Sequence, residues 1–594
     1  MKNLYKLSLL LLFLILSFPV PAQQITFSDV AGSMAINHPF TFIRGSVSFC
    51  DFNGDGKDDL SFSSNEGQPM FIYRNDDTEF TDVTFNLGLV DSFRTMNLLW
   101  CDYDNDGDKD LFTAVDCECT YSRLYRNDGS GILEDVTLQS GLTDLLGSCN
   151  AACWGDFNND GWIDLYLTNY SEYDGNYLYK NNGNGTFTDV TEVAGVADLM
   201  GTTGFYRLPF AAVFFDYNND GWQDIYIAND HFTRNTLFKN NGNGTFEDVS
   251  EQSNADVSGF MMGITVGDYD NNGYLDIYSS NDPFGNYLLK NNGDETFTEV
   301  AENIGVSVNK SCWGTNFFDY DNDTDLDLYV CAETGPSNGT NEFFENNGDG
   351  TFQRKIGIGL DQDYKSFGMG IGDFNNDGFS DIAVNNQQVL PNLFMNSGGT
   401  NNWVKLNLVG VESNRDGIGS WIEVYNNGNM FVRQTHCGIS YMSQNSLSLI
   451  IGAGEETAID SIIIKWAGSN TIDILRNISV NQTITVLEGS TVTGVNDHDF
   501  SPADLVLEQN YPNPFNPSTK IKFNLTIESK VNLTVFDVLG QEVAKLISGN
   551  LAAGVHEINF NAPNINSGVY FYRINAIAVD GTNFTSVKKM ILNK

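Results

Sequence analysis

The sequence predicts an all-β chain: a seven-bladed β-propeller, then a small β domain, then a C-terminal β-sandwich. Three observations predict it. A nine-residue pattern, Asp-x-[Asp/Asn]-x-[Asp/Asn]-Gly-x-x-Asp, opens at Asp51, Asp102, Asp156, Asp216, Asp268, Asp319 and Asp373, at intervals of 51, 54, 60, 52, 51 and 54 residues. Each copy is bracketed by short aromatic and β-branched runs, such as Ala212-Val213-Phe214-Phe215 before the fourth and Ile225-Tyr226-Ile227-Ala228 after it. Such runs read as strands, not helices. A second pattern, Asn-Asn-Gly-Asn-Gly-Thr-Phe, is clearest at 181–187 and 240–246. Its Asn-Gly pairs predict hairpins of type I′, with positive φ at both central residues. Four strands in each of seven units of ~50 residues suit a propeller better than a solenoid.

Taken in chain order, residues 1–22 read as a secretory signal: Lys2 and Lys6, an apolar run from Leu7 to Phe18, and Val20-Pro21-Ala22 as a small-residue cleavage site. That run is too short to span a bilayer comfortably. No later stretch approaches ~18 apolar residues, so no transmembrane helix is expected in the mature chain. The propeller occupies residues 23–400. The phrase Phe-x-Asp-Val closes units at Phe80, Phe187 and Phe246, and it also stands at Phe27-Ser28-Asp29-Val30, ahead of every loop. The seventh unit lacks it. Residues 25–36 are therefore expected to supply the outer strand of the seventh blade, hiding two open sheet edges.

The loops carry the chemistry. In the third, Asp156, Asn158 and Asp160 offer an oxygen at every second residue, Gly161 permits a sharp turn, the Trp162 carbonyl can point inward, and Asp164 closes the site. The equivalent residues are Asp51, Asn53, Asp55 and Asp59; Asp102, Asp104, Asp106 and Asp110; Asp216, Asn218, Asp220 and Asp224. The remaining copies hold Asp268, Asp270, Asn272 and Asp276; Asp319, Asp321, Asp323 and Asp327; Asp373, Asn375, Asp377 and Asp381. Oxygen-only, carboxylate-rich loops suit Ca²⁺, up to seven ions; the lack of Cys and His disfavours zinc and copper, and Mg²⁺ holds its waters too tightly. The competing reading is an Asx-rich turn that caps itself without metal. Against it stand 23 carboxylates at positions one, three, five and nine, which repel one another if uncompensated. An EF-hand is disfavoured because no Glu stands at position twelve and no helices flank the loops. Two loops depart from the pattern. Thr324 replaces glycine in the sixth, at a cost of about 1–2 kcal/mol if φ is positive there, and Asn272 replaces Asp in the fifth. Both sites are expected to be weaker.

With these residues in view, 25–400 resembles FG-GAP/VCBS repeats, the blades also found in integrin α-chain propellers, and the resemblance implies calcium on the blade turns. Residues 401–489 resemble an ASPIC/UnbV domain through Asn402-Trp403-Val404-Lys405-Leu406, 413–419, Ser440-Tyr441-Met442-Ser443-Gln444-Asn445, 462–466 and 481–485. A propeller with this module is similar to the cartilage acidic protein family, which supplies no catalytic residues to carry over. Arg415, Asp416, Tyr441 and Gln444 are expected to be buried hydrogen-bonding structure ahead of a small site. Residues 490–503 form a polar linker. Residues 504–594, with Leu507-Glu508-Gln509-Asn510-Tyr511-Pro512-Asn513-Pro514-Phe515-Asn516-Pro517 and Gly568-Val569-Tyr570-Phe571-Tyr572, resemble the C-terminal sorting domain of the type IX secretion system. That resemblance implies handling by the type IX machinery and a secreted or surface-anchored product.

Charge and composition bound the function. Thirty-one Lys and Arg against 77 Asp and Glu give −46, which repels nucleic acid and anionic membranes. An aromatic fraction of 13% argues against disorder. Nine Cys leave at least one unpaired; a bridge between the Cys117/Cys119 and Cys149/Cys153 pairs is plausible, whereas Cys50 and Cys101 lie too far apart. His38, His231, His436, His498 and His556 are scattered and read as loop or strand-surface residues. No Gly-x-Ser-x-Gly elbow, His-Glu-x-x-His or Walker loop occurs. The expected function is therefore calcium-dependent binding of glycan or protein ligands outside the cell, not catalysis. The alternatives are a polysaccharide lyase or hydrolase built on paired carboxylates, or a purely structural surface component.

Overall fold

Strands of the predicted kind fill a computed structural model of the chain, which describes residues 24–38, 45–90, 92–142, 146–171, 174–198, 207–333, 340–491 and most of 506–592. The signal at 1–22 and nearly all of the linker lie outside the described residues. The chain divides into two compact units after Gly489.

Seven antiparallel four-stranded units can be traced among the described residues. The fourth is representative: Pro209–Phe215, Asp224–Asn229, Thr236–Asn240 and Phe246–Asp248 pair in sequence order. Its first two strands are buried at every position, which explains their near-continuous apolar composition. In the seventh unit, Phe27–Asp29 pairs with Asn392–Asn396 as the outer strand, Phe27 opposite Asn396, as the displaced Phe-x-Asp-Val phrase predicts. One irregularity joins neighbours: Gly147 and Ser148 pair with Cys117 and Asp116, linking the second and third units into one sheet.

The hairpins between third and fourth strands differ from the expected type I′ turns. Asn181 pairs with Phe187, leaving five residues in the turn, closed by Asn182 N donating to Thr186 O at 2.9 Å. Only Gly183 and Gly185 have positive φ, 68° and 80°. The Asn residues act through their side chains, Asn184 Oδ1 accepting from Thr186 N.

A belt of side-chain amides stitches the ring. Position four of each loop is in the left-handed region: Gly54, Asn105, Asn159, Asn219, Asn271, Asn322 and Asn376. Asn tolerates this region better than other non-glycine residues. Asn105, Asn159, Asn219 and Asn322 each donate Nδ2 to the position-six carbonyl of the next loop, at 2.9–3.1 Å. Asn271 reaches Asp325 instead, at 2.7 Å. Asn376 of the seventh unit donates to Gly56 O of the first at 3.0 Å, so the ring closes on itself.

Residues 401–489 form two packed sheets with a core of Val404, Leu406, Ile422, Val424, Phe431, Ile451, Ile462 and Ile464. Residues 436–445 leave this core and enter the centre of the ring. There they bond the first strand of every unit: Gln444 O to Phe49 N, Met442 O to Asn97 Nδ2, Cys437 O to Trp154 N, His436 Nδ1 to Phe214 O, Ser440 to Ile264 in both directions, Ser440 Oγ to Thr315 N, and Asn445 Oδ1 to Ile371 N. Tyr441 and Met442 pack among Met96, Ala151, Phe210, Met262, Trp313 and Phe367. Tyr441 and Gln444 are therefore buried structure, as expected. The C-terminal unit pairs a three-stranded sheet with a four-stranded one over a core including Ile521, Phe523, Leu533, Val535, Tyr572 and Ile574.

Two expectations change. His38 is no surface residue: it is 3% exposed, stacked on Phe71 at 4.4 Å, and burial lowers its pKa to about 3. Cys153 is a buried free thiol and takes no part in the expected bridge, whereas Cys50 and Cys101 are buried free thiols, as expected; the side chains of Cys117 and Cys119 lie outside the described residues. His498 does also.

The belt makes a graded prediction. Asn376→Ala, at an exposed position, should lower unfolding free energy by about 0.5–1.5 kcal/mol. Asn322→Ala, fully buried, should cost more because it strands the Gly378 carbonyl. Denaturant titration of both variants checks the order.

Candidate metal centres

Each loop folds through its own carboxylates. Position one accepts two backbone amides: Asp216 takes Asp220 N on Oδ1 and Gly221 N on Oδ2 at 3.2 and 2.8 Å. Position nine opens the second strand and accepts two more: Asp224 takes Asn240 N at 2.7 Å and Tyr217 N at 3.1 Å. The same pairs recur at Asp59, Asp110, Asp164, Asp276, Asp327 and Asp381. The self-capped turn is thus present in all seven loops.

What hydrogen bonding leaves over points to a cation. In the second, fifth and sixth loops, carboxylate oxygens of positions one, three and nine lie within 4.8 Å of one another: Asp102, Asp104 and Asp110; Asp268, Asp270 and Asp276; Asp319, Asp321 and Asp327. These are the loops with Asp rather than Asn at position three. Buried oxygens there have no hydrogen-bond partner: Asp104 Oδ1, Asp270 Oδ1 and Asp321 Oδ1, with Asn158 Oδ1 in the third loop. A buried acceptor without a donor is costly, and several converging on one point fit a bound cation. These buried groups can hold a metal ion. Position five is not part of the clusters. Asp55, Asp106, Asp160, Asp220, Asn272, Asp323 and Asp377 each accept the amide two residues on.

Burial pushes these carboxyls towards their neutral forms. Asp59 rises to about 8, Asp102 and Asp156 to about 7, Asp110 to about 9, and Asp216 and Asp268 to about 6. Desolvation is the largest cause in each, and neighbouring carboxylates add to it. Asp164, Asp224, Asp276, Asp327 and Asp381 are raised well above the ordinary carboxyl range, also by burial.

The sixth loop carries the positive φ that its sequence suggests, and the fifth has a cation beside its position-three carboxylate. Thr324 has φ of 91°, a strained conformation for a β-branched residue, and Arg433 Nη2 donates to its carbonyl at 2.9 Å. In the fifth loop, Lys290 Nζ lies 2.5 Å from Asp270 Oδ2, adding to the charge removed by Asn272.

Each of the seven loops is bonded by residues 401–489. Ser446 bonds Asp58, Asp416 bonds Asp102 N, Gly468 N bonds Asn159, Gln434 bonds Asp216 N, Val432 N bonds Asp268, Gly454 N bonds Asn322 O, and Lys405 Nζ bonds Asp373 and Asn376. Asp416 also pairs with Lys109. The sequence singled out Asp416 without its partner. It missed Asn at position four and the Asn ending each third strand; both recur in phase with the aspartates.

Comparison with known proteins decides the family. The FG-GAP-like repeat model matches residues 51–113, 102–167, 156–212, 216–279, 277–330 and 329–384, more than half of the chain. The chain belongs to the FG-GAP-like repeat family. The ASPIC and UnbV model matches 410–493, and a secretion system C-terminal sorting domain matches 509–593. Cartilage acidic protein 1 of Homo sapiens is 24% identical over 425 residues, 65% of this chain and 62% of the relative. The Xenopus tropicalis protein is 24% identical over 261 residues, 40% of this chain and 38% of its own length. The chain thus spans less than two thirds of these relatives. Two extracellular domains described as hybrid two component systems of B. thetaiotaomicron align at TM-scores of 0.38 and 0.36, with 11% and 8% identity, over 95% and 96% of this chain and 66% and 60% of theirs. The sorting domain directs the FG-GAP-repeat protein through type IX export to the cell surface or beyond. No helix among the described residues is long and apolar enough to cross a membrane.

Two outcomes are expected. Because the folded-state carboxyl pKa values lie above ordinary ones, metal-free protein should be most stable near pH 4 and lose stability as pH rises towards about 9. Excess divalent cation should flatten or reverse that slope, since binding displaces protons; melting curves across pH with and without chelator test this. Thr324→Gly should raise the unfolding free energy by about 1 kcal/mol in calorimetry.

Proposed function

We propose that this protein is a calcium-stabilised binding module of the cell exterior, engaging glycan or protein ligands without turning them over. Calcium is the cation whose preferences match the loops: oxygen ligands only, several carboxylates, and a flexible turn offering a carbonyl at position seven. Positions one, three and nine, with that carbonyl, would hold it, and the ion would compensate carboxylates that burial otherwise drives to protonation.

One observation carries the functional reading. Every metal loop is bonded to the covering domain, so the calcium end of the ring has a structural duty. Ligand recognition then belongs to the opposite end, where second strands connect to third and fourth strands to the next unit. Calcium dependence of binding should accordingly be indirect, through stability.

Elemental analysis of dialysed full-length protein, followed by a glycan and protein array with calcium and with chelator, tests the reading. Retention of a ligand without product release, with calcium in the dialysed protein, is the expected result. Reducing ends or unsaturated sugars released from a polysaccharide would replace it with the lyase or hydrolase. An absence of alkaline-earth metal would remove calcium from the account.

A further inference from the structure

The end of the ring away from the metal loops carries an aromatic cluster on the fourth and fifth units. Phe232 and Phe284 are 58% and 63% exposed. Phe232 lies 4.5 Å from Phe260 edge-on and 5.8 Å from Phe284, and Phe260 stacks on Phe284 at 6.3 Å. Isolated exposed apolar residues are ordinary, but contiguous ones mark interaction sites.

The backbone is distorted to present them. His231 and Phe232 are consecutive, bulky, and both left-handed, with φ of 54° and 56°. Such conformations are strained and persist where the surroundings enforce them. Here the enforcing group is Asp230, 5% exposed. Its Oδ1 accepts His231 N at 2.7 Å and its Oδ2 accepts Tyr170 Oη at 2.7 Å. Tyr170 Oη also meets His231 Nε2 at 3.0 Å, and the imidazole side chain is 58% exposed. Behind them Tyr170 stacks on Phe210 at 4.7 Å, and Phe210 contacts Tyr441 at the tip of the central plug. The polar edge is thus anchored to the hub.

We infer that this cluster is a binding site for a neutral oligosaccharide, with Phe232, Phe260 and Phe284 as the stacking surface and His231 and Tyr170 as hydrogen-bonding groups at its edge. The inference rests on the binding role proposed above and gives it a place and a ligand class. A pyranose has an apolar C–H face and a rim of hydroxyls, which matches rings bordered by an imidazole and a phenol. Three side chains fall well short of the ~800 Å² per partner of a stable protein interface. Anionic sugars are disfavoured because the chain carries −46 and the nearby Arg234 is already paired with Asp256 at 2.5 Å.

The test uses calcium-loaded mature protein and its Phe232→Ala/Phe284→Ala double variant, titrated calorimetrically with cellohexaose, laminarihexaose, mannohexaose and an acidic hexauronide. Both substituted side chains are exposed, so the variant should melt within a few degrees of the parent. His231→Ala serves as a second variant should it not. Binding of at least one neutral hexasaccharide, weakened tenfold or more in either variant, is the expected result. Unchanged affinity in both variants would overturn the site while leaving a glycan-binding role intact. Binding of the hexauronide alone, or of no oligosaccharide, would overturn the inference, and a protein captured on the array would then still sustain the wider proposal.

Discussion

Burying carboxylates is expensive, and this ring buries two from every one of its seven units. Asp216 and Asp224 illustrate how that is tolerated: four backbone amides satisfy their oxygens, and each bond also shapes the loop that the next strand needs. The residual charge is what hydrogen bonds cannot cancel, and it concentrates at positions one, three and nine. Folding and pH response therefore trace to one set of side chains, the same set that can hold a metal ion.

The covering domain bonds each of those loops, while positions three to five of the first and seventh stay exposed. Lys405 and Asp416 bond loop aspartates directly, and residues 436–445 bond the first strand of all seven units. A ring of first strands alone would enclose an apolar channel lined by Met96, Phe210, Met262, Trp313 and Phe367. Filling it with a hydrogen-bonded loop replaces that exposed lining with packed core. The plug also couples the two ends of the ring, since Tyr441 touches the aromatic residues that back the opposite end.

Strain is distributed unevenly. Most positive-φ positions in the loops are Gly or Asn and are inexpensive. Thr324 is braced by Arg433, and His231 with Phe232 by Asp230. The first sits at a covered metal loop and the second on exposed aromatic rings, which separates a tolerated departure from the repeat from a feature held for display.

The sequence by itself determined the repeat, the all-β units, the loop residues and the strand swap at Phe27, because each is a local pattern whose period or displacement is visible in one dimension. Thr324 was legible as a strained position for the same reason. Only the tertiary structure decided that residues 401–489 bond every loop and fill the channel. Those contacts join residues at separations as different as 29 positions, Lys405 with Asn376, and 388, Ser446 with Asp58, and no periodicity announces them. The turns at 182–186 show the same limit on a small scale: composition marked a hairpin, but strand register set its length.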